Sequence, residues 1–300
     1  MQPAVAVVSG LGKLLSYVQS LDRGPRSGEH MRNLQKVVFA VFSLPVLMAA
    51  CQTLAPPPPA LARSVSIGIW RPPMVTEWQW QLSSPPGSFV NVQMYDIDLF
   101  DNDAATVTAL HAQGIRAVCY IDMGTWEKWR PDAKQFSASV LGASNRWPGE
   151  KWLDIRQLSL LAPIMEARLD RCQSQGYDGV EPDNIDGYEN STGFLLTAQD
   201  QINYNTWIAS QAHRRGLAVA LKNDTDQVVP LEPYFDFMLD EQCFEYRKCD
   251  SLLPFIHAGK AVFEVEYNLN PSQFCPQANA MNFNSMKKGS SLGAARSPCR

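Results

Sequence analysis

The hydrophobic pattern of the chain repeats one unit, in which an amphipathic segment ends at a glycine and a short β-rich run follows. The glycines are Gly114, Gly176, Gly216 and Gly259. A helix often ends beside a glycine that takes the left-handed conformation, so each position predicts a helix end. The runs after them are rich in Val, Ile, Ala, Phe or Tyr and predict strands at residues 115–122, 177–183, 217–223 and 260–267.

Four more runs of this kind raise the number of predicted strands to eight: residues 76–82, 90–96, 151–155 and 235–241. Residues 158–175 predict an amphipathic helix, and Thr197 can cap another helix. Strands that alternate with helices form parallel sheets. The sequence therefore predicts an α/β fold, a (β/α)8 TIM barrel in one domain over residues 67–274. The alternative, an open doubly wound sheet, lacks its Gly-x-Gly-x-x-Gly motif after the first strand.

The chain before the barrel has the composition of a targeting segment. Residues 31–51 begin with a methionine and basic residues, continue as an apolar run too short to span a bilayer comfortably, and end in small residues before Cys51. This pattern predicts a signal peptide of the bacterial lipoprotein type with Cys51 as the lipidated residue. Ordinary cleavage with full secretion is the alternative. Residues 1–30 are interpreted as an upstream extension, and the proline-rich residues 52–66 as a stiff tether.

Both alternatives predict export, which permits disulfide bonds. The predicted pairs join cysteines that are near in sequence: Cys243 with Cys249, and Cys275 with Cys299. The second pair would fasten the polar tail at residues 275–300. Cys119 and Cys172 lie in apolar runs and are predicted to be buried thiols. The four His residues lack ligand spacing and no Cys-x-x-Cys occurs, so we expect neither a metal site nor a cofactor.

Charge is distributed unevenly along the chain. The whole chain carries −4, whereas residues 51–274 hold 17 basic and 28 acidic side chains, a balance of −11. Such a balance disfavours nucleic acid, whose phosphates select basic surfaces, and favours a cationic partner. Simple solubility is the alternative explanation.

Polar side chains close most of the predicted strands. In a barrel of this type the active site lies at the carboxyl ends of the strands, so the residues there are candidate functional groups. They are Tyr95, Asp96, Asp122, Glu181, Asp183, Asn184, Lys222, Asn223, Asp240, Glu241, Glu264 and Glu266. A single acid at a strand end is explained by capping of the next helix, but carboxylates at five strand ends indicate a site.

The strongest candidates lie in residues 177–188, with the sequence YDGVEPDNIDGY. A strand sends alternate side chains to opposite faces, so Glu181 and Asp183 share one face, with Asp183 nearer to the mouth. Glu241 shares a face with apolar residues of its own strand, a setting that favours the protonated carboxyl. Cleavage of a glycosidic bond requires one ionised and one protonated carboxyl. Asp183 and Glu241 are therefore the predicted catalytic pair.

Two tryptophans follow the third predicted strand. Trp126 and Trp129 could stack on sugar rings, because an indole offers a large apolar face. Trp78, Trp80, Trp147 and Trp152 are predicted to be core or loop anchors, with core favoured.

Five short sequence motifs follow one another over about residues 75–270. They are residues 78–82 (WQWQL), 95–101 (YDIDLFD), 179–184 (GVEPDN), 221–223 (LKN) and 241–246 (EQCFEY), the last of them followed by Cys249. Together they resemble glycoside hydrolase family 114, the endo-α-1,4-polygalactosaminidase family. The resemblance implies a (β/α)8 barrel that cuts galactosamine-containing polymers, with Asp183 and Glu241 as its catalytic residues.

Substrate contacts are expected from the strand ends and the loops that follow them. They are Tyr95, Asp96, Asp122, Trp126, Glu181, Asn184, Asp186, Lys222, Asn223 and Glu266. Asp122 and Glu264 depart from the family pattern, in which smaller residues are frequent at these positions. This departure leaves the preferred glycan open.

The sequence as a whole predicts an exported, endo-acting glycoside hydrolase that cleaves α-1,4-linked galactosamine-containing polysaccharide. Glu241 would be the general acid and Asp183 the nucleophile or general base, although the two roles could be exchanged. Partly deacetylated galactosaminogalactan is cationic and would complement the acidic barrel. The alternatives are a non-catalytic glycan-binding lipoprotein on the same barrel and a hydrolase of a neutral or acetylated glycan. A membrane would be contacted only through the lipid on Cys51.

Overall fold

The structure, a computed structural model, describes residues 68–300. The predicted upstream extension at residues 1–30, the signal peptide at residues 31–51 with Cys51, and the tether at residues 52–66 all lie outside the described residues. Among residues 68–300, no helix combines the length and the apolar character needed to cross a membrane.

Twelve strands and seven α-helices make up residues 68–300. In chain order the strands are β1 (Trp78–Gln81), β2 (Met94–Asp98), β3 (Arg116–Asp122), β4 (Thr125–Glu127), β5 (Leu141–Ser144), β6 (Glu150–Leu153), β7 (Gly179–Asp183), β8 (Ala218–Lys222), β9 (Phe237–Glu241), β10 (Val262–Glu266), β11 (Asn284–Lys288) and β12 (Arg296–Pro298). The helices are α1 (Ala104–Ala112), α2 (Leu158–Gln175), α3 (Ala198–Arg214), α4 (Val228–Leu231), α5 (Cys243–Tyr246), α6 (Leu253–His257) and α7 (Pro271–Ala280).

Eight parallel strands form a nearly closed barrel in the order β1-β2-β3-β7-β8-β9-β10-β11, and β12 adds antiparallel to β11. Hydrogen bonds that involve side chains join β1 to β11, the first and last of these parallel strands. Trp78 Nε1 donates to the carbonyl of Asn284 at 2.8 Å, and Lys288 Nζ donates to Gln79 Oε1 at 3.0 Å. The predicted (β/α)8 fold is confirmed.

Helix ends lie where the sequence pattern predicts them. Helix α2 has the predicted bounds and is followed by Gly176 at φ 89°, in the left-handed region that glycine tolerates best. Thr197 caps α3 through a capping box with Asp200, so each residue satisfies a free N–H of the first turn. Gly176 thus fixes the point at which the chain enters β7, and Thr197 fixes the point at which α3 begins.

One predicted barrel strand is wrong. Residues 151–155 contribute to β6, which pairs antiparallel with β4 and β5 in a separate three-stranded sheet. The eighth barrel strand is β11, which pairs with β10 and lies beyond the predicted boundary at residue 274. The error arises because β11 is mostly polar, with only Met286 in the apolar interior of the barrel. The tail at residues 275–300 therefore completes the barrel.

The apolar residues divide between the inside of the barrel and the space between strands and helices. The inner group fills the barrel up to its mouth and includes Trp78, Trp80, Met94, Val118, Phe237, Leu239, Phe263, Val265 and Met286. All of these side chains are buried. Because the interior is filled, a ligand can reach the inward-facing polar residues at the strand ends only from the mouth.

Three disulfide bonds cross-link the described residues. The predicted pairs are confirmed, Cys243 with Cys249 and Cys275 with Cys299. The prediction of buried thiols at Cys119 and Cys172 is wrong, because these two residues form the third bond. Cys119 lies on the outward face of β3 and Cys172 on the buried face of α2, with their Cα atoms 6.0 Å apart. That separation suits a disulfide, and the sequence pattern could not reveal it.

We expect the double substitution of Cys119 and Cys172 by Ala to lower the free energy of unfolding by about 3 kcal/mol, because a cross-link over a long loop restricts the unfolded chain. The loop spans a sequence separation of 53 residues. The matched control replaces Cys243 and Cys249, separated by 6 residues, and should cost about 1 to 2 kcal/mol less. Urea unfolding of the oxidised proteins measures both. Equal losses for the two pairs would contradict the loop argument.

Candidate active site

The carboxyl ends of β7, β8 and β9 meet around one ammonium group. Lys222 places its Nζ 3.0 Å from Glu181 Oε1, 2.9 Å from Asp183 Oδ1 and 3.1 Å from Glu241 Oε2. The Lys222 side chain is 1% exposed, whereas those of Asp183 and Glu241 are 18% and 25% exposed. The two predicted catalytic carboxylates thus lie at the open side of the cluster, and Lys222 lies on its buried side.

Lys222 remains charged in spite of its burial. Burial alone lowers the pKa of an ammonium group, but the charges of Asp183, Glu241 and Glu181 outweigh it and raise the pKa of Lys222 well above its usual value. A permanent cation is therefore shared by three carboxylates. It compensates their mutual repulsion and holds two of them side by side.

Asp183 is held as an ionised carboxylate. The Tyr120 hydroxyl donates to Oδ2 at 2.8 Å, and the backbone N–H of Asn184 donates to Oδ1 at 2.8 Å. Burial alone would raise the pKa of Asp183, but the charge and hydrogen bond of Lys222, together with these donors, lower it below its usual value. At neutral pH the group is a carboxylate that can attack an electrophilic carbon or stabilise a positive charge.

Glu241 lies in a polar setting. Its Oε1 accepts a short hydrogen bond from the Tyr267 hydroxyl, and its Oε2 contacts Lys222 and lies 3.4 Å from Asn223 Nδ2. The backbone N–H of Glu241 donates to Asn223 Oδ1 at 3.1 Å, which fixes the end of β9 against the end of β8. The apolar environment expected for this carboxyl is wrong. The apolar residues of β9 share its face but lie deeper in the barrel, where Phe237 is buried.

Asp96 and Glu181 form the floor of the site, and both residues are fully buried. Trp80 Nε1 donates to Glu181 Oε2 at 2.9 Å, and the Trp80 ring lies 4.9 Å from Lys222 Nζ. Burial and then the charge of Glu181 raise the pKa of Asp96 well above its usual value, so Asp96 can keep a proton and donate it to Glu181 in a hydrogen bond. These two predicted substrate contacts therefore face Lys222 and the barrel interior.

Asp122 belongs to a neighbouring acidic group. Asp122, Glu127 and Glu150 each place one carboxylate oxygen within 4.8 Å of the others, a spacing that a cation could bridge. Asp122 Oδ1 also accepts from the Thr125 N–H at 2.6 Å, and Glu127 pairs with Arg130 at 2.6 Å. Hydrogen bonds already hold these acids in place, and the prediction that the protein needs no metal stays a prediction.

Asn184 connects that acidic group to the centre of the site. Its side-chain Nδ2 donates to Asp122 Oδ2 at 2.8 Å, while its backbone N–H holds Asp183. Its φ of 57° is unusual for a residue other than glycine and marks the sharp change of direction after β7. Asn184, Asn223 and Lys222 are thus brought together with the predicted catalytic pair.

Tyr95 and Glu266 point outwards from their strands. Because Asp96 points into the barrel, strand alternation sends Tyr95 outwards, where it is fully buried and its hydroxyl accepts from the Val90 N–H at 2.6 Å. Glu266 also points outwards from β10. Its Oε1 accepts two backbone hydrogen bonds from helix α5, at 2.8 and 3.1 Å. The structure gives both residues internal packing contacts, and their predicted substrate contacts stay predictions.

Asp186 and Trp126 stand at the edge of the site. Asp186 is half-buried, and burial followed by the charge of Asp183 raises the pKa of Asp186 to about 6. Trp126 is half-buried, and its Nε1 donates to the carbonyl of Ala133 at 2.9 Å. Part of each side chain is therefore still available to a ligand at the mouth.

Sequence reasoning missed three aromatic residues that contact the charged cluster: Tyr120, Tyr267 and Trp80. A signal was present, because strand alternation places each on the inward face of its strand. Tyr120 precedes Asp122 by two residues, and Tyr267 follows the buried Val265 by two. Reading inward faces along whole strands would have found all three.

The family model of glycoside-hydrolase family GH114 matches residues 60–300. The chain belongs to family GH114. It is a glycoside hydrolase, and the GH114 resemblance of its motifs is confirmed.

Two solved structures illustrate the relationship. Ega3 of Aspergillus fumigatus, in a complex with galactosamine, is 36% identical to this GH114 chain with a TM-score of 0.74, over 77% of this chain and 98% of Ega3. The glycoside hydrolase domain of PelA from Pseudomonas aeruginosa is 15% identical with a TM-score of 0.60, over 73% of this chain and 97% of that domain, which supports the fold alone. A comparison with curated proteins gives no match.

Proposed function

We propose that this GH114 enzyme is exported and cleaves internal bonds of α-1,4-linked, galactosamine-containing polysaccharide, with Asp183 and Glu241 as its catalytic pair. The observation that carries the proposal is the position of these two carboxylates on one buried cation at the barrel mouth. The galactosamine complex of Ega3 supports an amino-sugar substrate. The balance of −11 over residues 51–274 supports a cationic polymer, and three disulfides suit an exported protein, with Cys51 as its proposed lipid anchor.

In the proposed reaction the ionised Asp183 is the nucleophile and Glu241 is the general acid. Asp183 attacks the anomeric carbon, the bond to the leaving sugar breaks, and the leaving oxygen takes the proton of Glu241. Water then attacks the same carbon while Glu241 accepts a proton from it, and the Asp183 carboxylate is released. Lys222 and Tyr120 stabilise the charge on Asp183 before the first step and after the second.

The separation of the two carboxyls supports retention of the anomeric configuration. Asp183 Oδ1 and Glu241 Oε2 lie 2.9 and 3.1 Å from the same nitrogen of Lys222, so they are at most about 6 Å apart. Retaining glycosidases place their carboxyls roughly 5 to 5.5 Å apart, whereas inverting enzymes need roughly 6.5 to 9.5 Å to admit a water molecule. Asp183 is therefore the nucleophile in this proposal, since it attacks directly.

Product analysis tests the proposed function. The purified protein is incubated with partly deacetylated α-1,4-galactosaminogalactan, and the products are sized and their first-formed anomer is identified by NMR. We expect oligosaccharides of several lengths from the earliest times, in the α configuration. Release of monosaccharide alone would contradict endo action, and binding without cleavage would identify a glycan-binding protein. Equal cleavage of a neutral polymer, insensitive to salt, would identify a different substrate class.

Asp186 is expected to recognise the substrate ammonium group. Asp186→Asn should raise KM for the deacetylated polymer about tenfold, because a charge-assisted hydrogen bond to a partly buried carboxylate contributes about 1.4 kcal/mol. Since the pKa of Asp186 is raised to about 6, the wild-type KM should also rise as pH falls below that value and the carboxylate is protonated.

Steady-state rates between pH 5 and 8 measure the Asp186 effect, with a fully acetylated polymer as the control substrate. KM for that control should change little, because an acetamide carries no charge. The same tenfold rise on both polymers would assign Asp186 to general packing of the loop after β7.

A further inference from the structure

Two tryptophans stand out by their exposure. All eight tryptophans of the chain lie among residues 68–300, and only Trp129 and Trp147, at 51% and 58%, are more than half exposed. Isolated exposed apolar residues are common, but an indole is large and costly to leave in water. The prediction that Trp147 is a core or loop anchor is therefore wrong for its exposed ring.

The two exposed residues lie at the same end of one ribbon. Strands β4 and β6 pair antiparallel, and the pairing continues beyond them because the Lys128 N–H donates to the Gly149 carbonyl at 3.0 Å. The Glu150 N–H donates to the Trp147 carbonyl at 3.1 Å, which closes a turn at this end. Trp129 follows Lys128 directly, so the chain brings Trp129 and Trp147 to the tip of the ribbon.

Both residues are attached to the mouth of the barrel. Arg130, next to Trp129, forms a bidentate ion pair with Asp98 at the end of β2, at 2.9 and 2.6 Å. Asn145 Nδ2 lies 3.4 Å from Oδ1 of Asn184, whose backbone holds Asp183. Trp147 is two residues from Asn145, so their Cα atoms are at most about 7 Å apart. The ribbon tip is thereby fixed beside the catalytic strand ends.

We infer that Trp129 and Trp147 form a distal sugar-binding surface, which receives the part of the polysaccharide chain that extends beyond the catalytic cleft. We name these two residues the tryptophan platform. The inference rests on the proposed function, since its occupant is the same galactosamine polymer. Pyranose rings present an apolar face that an indole can cover, and an ammonium group above an indole adds a cation–π attraction.

A polysaccharide fits the tryptophan platform better than a protein partner does. Stable protein interfaces bury about 800 Å² on each partner, far more than two indole rings can supply. A polysaccharide needs less contact area than a protein partner, because it is already held in the catalytic cleft. Binding of its further sugar units is then intramolecular, so weak contacts are sufficient. The continuity between Asn145 and the strand end that carries Asp183 places such units within reach.

Chain-length dependence tests the tryptophan platform. We expect Trp129→Ala and Trp147→Ala each to raise KM for the long, partly deacetylated polymer about threefold, and the double variant about tenfold, with kcat unchanged. A galactosamine trisaccharide, too short to fill the cleft and reach the platform, should show wild-type KM in every variant. Trp147→Phe should recover most of the loss because it keeps an aromatic face.

Tyr234→Ala is the matched control, since Tyr234 is 50% exposed and precedes the amino end of β9, at the opposite end of the barrel. Unchanged KM of the double variant on the long polymer would overturn the tryptophan platform while wild-type cleavage leaves the proposed function intact. An equal loss on the trisaccharide would also overturn it, because the residues would then act on the catalytic centre.

Binding distinguishes failure of the tryptophan platform from failure of the proposed function. If the wild type cleaves no polymer, the same variants are compared by affinity electrophoresis in gels that contain the long polymer. Weaker retardation of the double variant than of Tyr234→Ala supports the platform without catalysis. Equal retardation overturns it.

Discussion

Asp183→Asn is expected to lower kcat on the galactosamine polymer by about 10³-fold or more, and Glu241→Gln by roughly 10² to 10⁴-fold. Each change keeps the size of the side chain and removes the group that attacks or transfers a proton. Asp183 is held ionised, because Lys222 and Tyr120 lower its pKa. Initial rates of oligosaccharide release measure both losses, and binding of the polymer should persist.

Chemical rescue separates the two roles. Azide can enter the space left by a removed nucleophile, so it should restore turnover by Asp183→Ala and give the glycosyl azide of inverted, β configuration. A substrate with an activated aryl leaving group needs little proton donation, so the Glu241 variant should lose least on that substrate. Asp170→Asn, with a side chain 62% exposed on helix α2, is the control and should retain wild-type rates. The reverse pattern of rescue would exchange the roles of Asp183 and Glu241.

Local sequence pattern predicts the strands and helices of this barrel well, but it cannot decide which strands pair. Residues 151–155 have the alternation of a barrel strand and instead build the ribbon that carries the tryptophan platform. Strand β11 closes the barrel although four of its five residues are polar. Asn284 of β11 accepts hydrogen bonds from Trp78 Nε1 of β1 and from the backbone N–H of Thr76, just before β1. A strand that closes a barrel can be held to the adjacent strand by side-chain hydrogen bonds. Hydrophobic periodicity does not detect such bonds, because they involve polar residues.

The placement of Asp183 and Glu241 at the mouth could be predicted because strand-end position and alternation depend only on local spacing. The role of Lys222 could not, since it follows from three carboxylates on β7 and β9 that meet only in the folded chain. The same limit explains Cys119 and Cys172, whose pairing depends on how α2 packs on β3. Long-range contacts determine the electrostatics of the site as well as the cross-links of the scaffold.

Lys222→Met is expected to destabilise the protein by roughly 3 to 5 kcal/mol at neutral pH and to abolish measurable hydrolysis. Methionine matches the length and shape of lysine, so the change removes charge without a large cavity. Glu181, Asp183 and Glu241 then lose their shared cation while Glu181 remains fully buried. The pKa of Asp183 would rise, the carboxyl would hold a proton, and the nucleophile would be lost.

The pH dependence of unfolding distinguishes this electrostatic role from simple packing. Without Lys222 the buried carboxyls have folded-state pKa values above their unfolded values, so they stabilise the variant at low pH and this contribution is lost as pH rises. In the wild type, the lowered pKa of Asp183 adds stability above the unfolded value of about 4 and loses it below. The loss of unfolding free energy in Lys222→Met, measured by urea unfolding, should therefore be small near pH 4 and grow towards pH 7.

The control is Lys248→Met, where the lysine is 50% exposed and 3.7 Å from Asp226. This variant should lose less than about 0.5 kcal/mol at every pH. A deficit of equal size at pH 4 and pH 7 would show that Lys222 contributes through packing alone, and the electrostatic account of the site would then be wrong.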